Sequence, residues 1–346
     1  IRANLSFIFG IDIMRDNIEN KLDGVCARYL NYKKKFKKMP KALFVNGNTS
    51  INIKSTDAIY TDKGKMVTNA VFGKGPKDKT KMGTGVYNQY GVGKDGFNIS
   101  SIQFALHYMF ENKSTLHNFL RNISECTKVG GYFIGTCYDG KKIFNKLKNK
   151  KEGESIQLYV NNKKIWEIEK QYSFVEFDDD DTSIGYSINV YQETINKYFR
   201  EYLVNFEYFT QLMNDYGFSL LKKEELKKNR LNKSCDSFSV LYKNMLDENE
   251  KFSNNFYKDA ANMTEEEKKI SFLNNYCIFK KTHSIDAKKL SNNFISNDEI
   301  EELDNILLNE DPDVVETEIP IDKKGKNNNI KAKKIKKIKK KLLLKQ

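Results

Sequence analysis

Residues 97–111 read FNISSIQFALHYMFE, and the fold depends on how this stretch divides. Phe97, Ile99 and Ile102 mark a strand, after which Gln103, His107, Tyr108 and Glu111 fall where a buried strand gives way to a loop or helix. In an open α/β sheet ligands bind at the carboxyl ends of strands, so a Gln, a His and a Tyr gathered at one such end point to a site. A core strand followed by an amphipathic turn with locally satisfied polar atoms accounts for the same residues. Spacing alone leaves both readings open.

On the N-terminal side, LSFIFGIDI reads as a strand ending at Asp12, followed by a helix from roughly Asp16 to Asn31 with Ile18, Leu22, Val25 and Leu30 on its apolar face. An acid at the end of the second strand of a nucleotide-binding α/β unit accepts hydrogen bonds from ribose hydroxyls, because it offers strong acceptors and no competing donor. An acidic helix N-cap is the structural alternative, a role open to Asp16 as well. Such a unit is expected to follow a strand and a glycine-rich turn, which here would lie ahead of Ile1. A basic linker, NYKKKFKKMPK, leads to the strand ALFVNG, whose end carries Asn48, Thr49 and Ser50. These can hold the edge of a base or form an ordinary Asx or Ser/Thr turn, and turn chemistry is the better reading.

Residues 73–96 contain seven glycines, and GVGKDG at 91–96 satisfies GxGxxG. The match is read as a decoy, because it precedes a strand where phosphate binding needs it to follow one and open a helix. On the C-terminal side of the opening stretch, a helix begins at Ser114, capped by Ser114 or Thr115, and ends before Gly130 and Gly131. The strand YFIGT (132–136) and a helix from about Lys141 to Lys148 follow. Alternation of strand and helix over residues 1–150 predicts a mainly parallel sheet covered on both faces. The segments SIQLYV, KIWEI, YSFVEF and IGYSINVY then predict antiparallel strands forming a lid, interrupted by the acidic run Asp178–Asp181, which is read as a solvated turn. A helix from about Asn205 to Tyr216, polar helices and a last strand, YCIFKK (276–281), complete the body.

Composition bounds the function classes. With 39% hydrophobic and 12% aromatic residues, 346 residues can bury a sizeable core. No apolar run approaches a membrane span, and the five cysteines (26, 126, 137, 235, 277) form no CxxC pair, which fits reduced thiols better than disulfides or a zinc site. A soluble intracellular protein is expected. Residues 321–346 hold twelve lysines and one acid, Asp322, so that +11 of the net +13 sits in this tail and about +2 in the rest. A general basic surface on the body is therefore a weak basis for RNA binding, although Lys/Arg patches can still be segregated on one face. Residues 282–346, acidic and then Lys-rich, are expected to be disordered with marginal helices, Ile335, Ile338 and Leu342 offering a stripe for a partner or anionic surface.

Taken together, GIDI (10–13), ARY (27–29), FNISSIQFALHYMFE, NISECTKVGGYFIGT (122–136) and INKYFREYLVNFEYF (195–209) resemble the mRNA cap guanine-N7 methyltransferases. IGYSINVYQETINKYFREYLVNF and DGFNISSIQFALHYMFE are most similar to the methyltransferase domains of capping enzymes of large cytoplasmic DNA viruses. The resemblance spans about residues 5–281. It implies a class I S-adenosylmethionine-dependent methyltransferase, Rossmann-like with a mostly parallel seven-stranded sheet and an antiparallel lid or insertion, whose first strand and glycine loop would precede Ile1. The domain would run from 1 to 281, lacking its N-terminal part.

The resemblance also implies roles. Asp12 matches the acid that holds the cofactor's ribose, Asn48 falls where the family has an Asp facing adenine, and Thr49 stands beside it. Gln103 matches the cofactor-contacting Gln, Tyr108 the aromatic between cofactor and cap, and His107 and Glu201 the cap-guanine contacts. Tyr276 corresponds to a closing aromatic, with Asn274 a competing register. Guanine N7 carries a free lone pair, so no general acid, base or metal is expected, only positioning. The implied cofactor is S-adenosylmethionine and the implied partner a capped mRNA 5′ end, with triphosphatase and guanylyltransferase domains upstream and no membrane. The implied location is the host cytoplasm (viral factory) or virion for a viral protein and the nucleus for a cellular one. The alternatives are an inactive methyltransferase-like module that binds RNA or a capping partner, and a methyltransferase acting on another RNA position. Residues 1–346 alone are expected to bind the cofactor poorly, and an upstream extension to restore binding.

Overall fold

Apolar alternation closes β1 (Phe7–Asp12) onto β2 (Lys41–Asn46) as a parallel pair, Phe7 opposite Lys41 and Asp12 opposite Asn46. The computed structural model describes residues 4–251 and 257–296. Between these strands the expected single helix is two, α1 (Arg15–Glu19) and α2 (Val25–Lys35). The break has a local cause: the Asn20 side-chain oxygen accepts from the backbone of Leu22 and Asp23, competing with the helical ladder. Helices α3 (Asp62–Val71) and α4 (Lys79–Tyr87) fill the excursion that leads to β3 (Phe97–Gln103). Gly91 and Gly96 both adopt positive φ (+76° and +88°), and a Cβ on Gly96 would lie 2.7 Å from the Lys128 backbone nitrogen. The glycines of the GxGxxG match therefore serve turns and close packing ahead of β3.

After β3 a 3-10 turn (Leu106–Glu111) leads to α5 (Lys113–Cys126). Its cap is Asn112, two residues ahead of the expected Ser114, and the Asn112 side chain accepts from the Thr115 N–H at 2.8 Å. β4 (Thr127–Tyr138) begins directly after α5, passing through Gly130 and Gly131 where a helix end was expected, and pairs parallel to β3. α6 (Gly140–Leu147) then precedes a four-stranded antiparallel sheet of β5 (Ser155–Val160), β6 (Lys163–Lys170), β7 (Ser187–Gln192) and β8 (Lys197–Tyr202), the predicted lid. The YSFVEF segment is not one of its strands. Tyr172 and Phe177 stand against Phe144 of α6 (rings 5.8 and 5.4 Å apart), so this stretch is apolar to pack, without pairing.

α7 (Phe206–Asp215) leads to β9 (Phe218–Leu220), and β10 (Cys235–Ser237) and β11 (Asn274–Lys281) finish the sheet, β11 lying antiparallel between β4 and both short strands. The parallel strands thus fall in two sheets among the described residues, β1–β2 and the sheet containing β3–β4, where one continuous sheet was expected. Phe133 of β4, Phe209 of α7 and Phe279 of β11 are fully buried at the centre of the main core; such burial contributes about 1.5–3 kcal/mol per side chain. Packing continues past residue 281: Ala287 is buried and Phe294 stacks on His117 with rings 4.1 Å apart, so residues 283–296 belong to the body and not to the expected tail. The remainder of that tail, 297–346, lies outside the described residues, and with it the expected disorder and the stripe of Ile335, Ile338 and Leu342. No helix of the described residues is long and apolar enough to cross a membrane.

Candidate functional site

The chain leaves β3 abruptly. Phe104 takes a left-handed conformation (φ +53°), a costly state for a non-glycine residue, held by its N–H donating to the Thr136 carbonyl at 2.8 Å. This kink turns His107 inward while Tyr108 stays 39% exposed. β8 comes alongside the same turn: the Tyr202 hydroxyl donates to the Glu111 carboxylate at 3.1 Å, and the Gly185 N–H donates to the Phe110 carbonyl at 3.0 Å. Glu111 is therefore engaged with the lid. Along β8, Lys197–Arg200 are exposed and Glu201 is buried, so this strand delivers one carboxylate into the interior.

The result is a cavity of about 1030 Å³ lined by His107, Tyr108 and Glu201, by Met14 and Asn17 beyond β1, and by Phe104 beyond β3. His107 Nδ1 stands 3.6 Å from Glu201 Oε2. Both His107 ring nitrogens and Glu201 Oε2 are buried without a hydrogen-bond partner. Burial lowers His107 to about 3 and raises Glu201 to about 7, so near neutrality the imidazole is uncharged and the carboxyl stands at its midpoint. Burial, and then the Glu201 charge, also raise the Tyr108 phenol. Unsatisfied buried polar groups facing a cavity are costly unless a ligand meets them. A planar molecule with two N–H donors on one edge suits Glu201, since a carboxylate accepts both.

The other expected site residues fall less uniformly. Asp12 ends β1 as expected, but its carboxylate is shared with its own chain, accepting from the Met14 N–H at 2.8 Å and the Asn17 amide at 3.1 Å. Gln103 ends β3, exposed, its side chain linked to Ser101 and Thr136 at 2.9 and 3.0 Å. Asn48 accepts from the Ser50 N–H at 2.8 Å in an Asx turn, as turn chemistry alone predicted. The Thr49 carbonyl is held by the Asn122 amide at 2.8 Å, and Thr49 lines a different cavity. Tyr276 is a correction: it is buried with its hydroxyl donating to the Lys233 carbonyl at 3.0 Å, away from the cavity, and Asn274 lines the cavity in its place. On an alternating strand the two residues share a face, so position alone could not separate them. Trp166 of β6 also lines the cavity, donating from Nε1 to the Tyr138 hydroxyl at 3.0 Å. Sequence reading passed over it, although a lone Trp within the alternating KIWEI signals a buried wall.

A family model for the mRNA (guanine-N(7))-methyltransferase domain matches residues 65–282, more than half of the chain. The chain belongs to this family. The match contains β3, the 106–111 turn, Glu201 and β11. Among curated relatives of this cap guanine-N7 methyltransferase domain, the probable mRNA-capping enzyme of Acanthamoeba polyphaga mimivirus is 28% identical over 315 residues, covering 84% of this chain and 25% of the relative. The mRNA cap guanine-N(7) methyltransferase of Drosophila melanogaster is 32% identical over 128 residues, covering 36% of this chain and 27% of the relative. The chain thus spans about a quarter of the length of these relatives. Solved structures similar to it include an S-adenosylmethionine-dependent methyltransferase from Clostridium acetobutylicum (10% identity, TM-score 0.32, 62% of this chain and 65% of that one). Another is the CcbJ methyltransferase from Streptomyces caelestis (8% identity, TM-score 0.36, 80% and 74%). The fold of the cap methyltransferase domain is class I α/β, with parallel strand pairs and intervening helices, and the family's methyl donor is S-adenosylmethionine.

Proposed function

We propose that this domain transfers a methyl group from S-adenosylmethionine to N7 of the terminal guanine of capped mRNA, forming cap 0. The observation that carries the reading is the buried Glu201 carboxylate, its Oε2 without a hydrogen-bond partner, opposite His107 in a cavity that also opens past the ends of β1 and β3. Support for the cofactor comes from Tyr108, half exposed on the cavity wall, and from Asp12, which ends β1 just ahead of the cavity-lining Met14 and Asn17, from whose N–H groups its carboxylate accepts. Asp12 and Gln103 would hold it; Asn48 and Thr49 are occupied by their own turn and contribute less. S-adenosylmethionine supplies an electrophilic methyl on a sulfonium.

The chain's own work is orientation. Guanine N7 has a lone pair and no proton to lose, so the rate depends on holding it in line, a contribution that reaches several kcal/mol. Glu201 accepts from N1–H and the 2-amino group, and its charge favours the positive charge that develops on the ring as N7 is alkylated. His107, kept neutral by burial, offers one donor and one acceptor to the base. Tyr108 walls the pocket between the two ligands. The substrate is then the 5′ end of a capped RNA, and the 25% coverage of the mimivirus relative supports further capping domains in the same polypeptide. The place of action follows from the RNA: the host cytoplasm or virion for a viral chain, the nucleus for a cellular one.

Incubating the polypeptide that carries this domain with labelled S-adenosylmethionine and GpppA-capped RNA, then digesting the RNA, places the label in 7-methylguanine. Glu201→Ala lowers the transfer by about 100-fold, as loss of a charge-assisted contact does. Transfer undiminished by the substitution removes the role given to Glu201, and label in another nucleotide removes the N7 assignment.

A further inference from the structure

Residues 24–56 hold Arg28, seven lysines and no acid, a local +8 in a body whose other residues up to 320 sum to about −6. The near-neutral body is thus strongly segregated. Lys33, Lys34, Lys35, Lys37, Lys38 and Lys41, at the end of α2 and along its link into β2, are all exposed, and among the described residues none forms an ion pair or a side-chain hydrogen bond. Lysines in the last turn of a helix complement its dipole, which accounts for Lys33, Lys34 and Lys35. Lys37, Lys38 and Lys41 lie beyond the helix and have no such task. Two aromatic rings stand among the charges: Tyr32 and Phe36, 51% and 43% exposed, stack with rings 5.9 Å apart and planes 21° from parallel. The platform is held in place, since the Tyr29 hydroxyl donates to the Pro40 carbonyl at 2.9 Å and the Tyr29 ring meets Phe44 of β2 edge-on at 6.2 Å.

We propose that this patch is a second RNA contact, separate from the cap cavity, in which the lysines hold the sugar-phosphate backbone a few nucleotides downstream of the cap and a base stacks on the Tyr32–Phe36 pair. Unpaired cations around an exposed aromatic face suit single-stranded nucleic acid, whose phosphates need the charge and whose bases need the ring. The register sets the spacing. Lys41 lies opposite Phe7, at the end of the β1–β2 pair away from Asp12, and six residues of strand put it about 20 Å from the cavity-lining Met14. α1 starts at the cavity with Asn17, and α2 carries the chain back to the lysines, so these helices connect the two places. The choice of RNA as the occupant rests on the function proposed above; the patch itself does not depend on which atom is methylated. The cavity then reads the cap, while the patch adds affinity that is independent of sequence and sensitive to salt.

The test replaces Lys33, Lys34, Lys37 and Lys38 together by Gln in the polypeptide that carries this domain. Exposed and unpaired, they leave the melting temperature unchanged. Affinity for an uncapped single-stranded RNA of about 20 nucleotides, read by fluorescence anisotropy, falls at least tenfold at about 50 mM salt, and the slope of log affinity against log salt becomes shallower by about 2 to 3, as the loss of four phosphate contacts implies. Arg at the same four positions keeps both. In methyl transfer the Gln variant has a raised KM for capped RNA of that length and an unchanged KM for GpppA. An unchanged affinity and salt slope for uncapped RNA overturn the proposal, and so does a KM for GpppA that rises in step. Binding to phosphatidylserine vesicles that the substitutions abolish, with RNA binding intact, also overturns it and assigns the patch to an anionic membrane. A wild type that holds uncapped RNA through these lysines yet methylates no cap removes the proposed function and leaves this inference standing.

Discussion

His107 Nδ1 and Glu201 Oε2 lie 3.6 Å apart, both buried and neither hydrogen-bonded. Sequence places them 94 positions apart, on a 3-10 turn after β3 and on the last strand of the lid, and the Tyr202–Glu111 hydrogen bond pins those two elements together. A neutral imidazole beside a carboxyl raised to about 7 is a pair that a ligand completes.

Cap affinity follows the protonation of Glu201. The ionised form accepts the guanine's two N–H groups, so below about pH 7 binding must expel a proton, and affinity falls by up to tenfold per pH unit. Above that value it is flat. Trp166, the only Trp in the chain and part of the cavity wall, reports GpppA titrations by fluorescence between pH 5.5 and 8. Glu201→Gln removes the slope; a slope surviving the substitution assigns it to another group.

Stability moves in the opposite sense. The folded-state value of Glu201 is raised, so its contribution to stability is fully present below the unfolded value near 4.5 and is lost as pH rises through about 7. His107 is lowered, so its contribution is present above about 6.5 and is lost as pH falls toward about 3; it is common to wild type and Glu201→Gln and cancels in their comparison. Relative to Glu201→Gln, the wild type therefore becomes less stable between pH 4.5 and 8, by up to about 3 kcal/mol. Denaturant midpoints of the two proteins across that range measure the difference, and parallel curves contradict it.

Tyr276 holds structure. Tyr276→Phe removes its hydrogen bond to the Lys233 carbonyl and costs about 1 kcal/mol of stability, with GpppA affinity unchanged. A loss of affinity at constant stability would return Tyr276 to the site.

Asn122 ties α5 to the loop that follows β2. Its amide donates to the Thr49 and Ile51 carbonyls at 2.8 and 2.7 Å and its oxygen accepts from the Ile53 N–H at 2.9 Å, all from a buried position. Asn122→Leu keeps the volume and strands three backbone groups, a cost of about 3 kcal/mol by chemical denaturation. A change under about 0.5 kcal/mol means the loop repacks.

Much of this was legible before any coordinates. The strand ending at Gln103, the helix after it, the antiparallel lid and β11 follow from apolar periodicity, and the GxGxxG match was discounted because of where it stood relative to β3. His107, Tyr108 and Glu201 came from the family resemblance; spacing alone left His107 and Tyr108 open, and Glu201 stands on a strand whose preceding residues are exposed. Three features were not legible for identifiable reasons. Asn20 diverts its own backbone and splits a helix whose apolar pattern runs on. The YSFVEF segment has strand composition but packs on Phe144 without a partner. Tyr276 and Asn274 share one face of β11, and only the neighbouring Lys233 carbonyl decides which of them is spoken for.

The most direct test of the account compares GpppA with IpppA, whose hypoxanthine lacks the 2-amino group, as ligands for the wild type and Glu201→Ala, read by Trp166 fluorescence. The account predicts that the wild type prefers GpppA by about tenfold, as one charge-assisted hydrogen bond implies, and that the variant binds both weakly and equally. A preference retained in full by Glu201→Ala would contradict it.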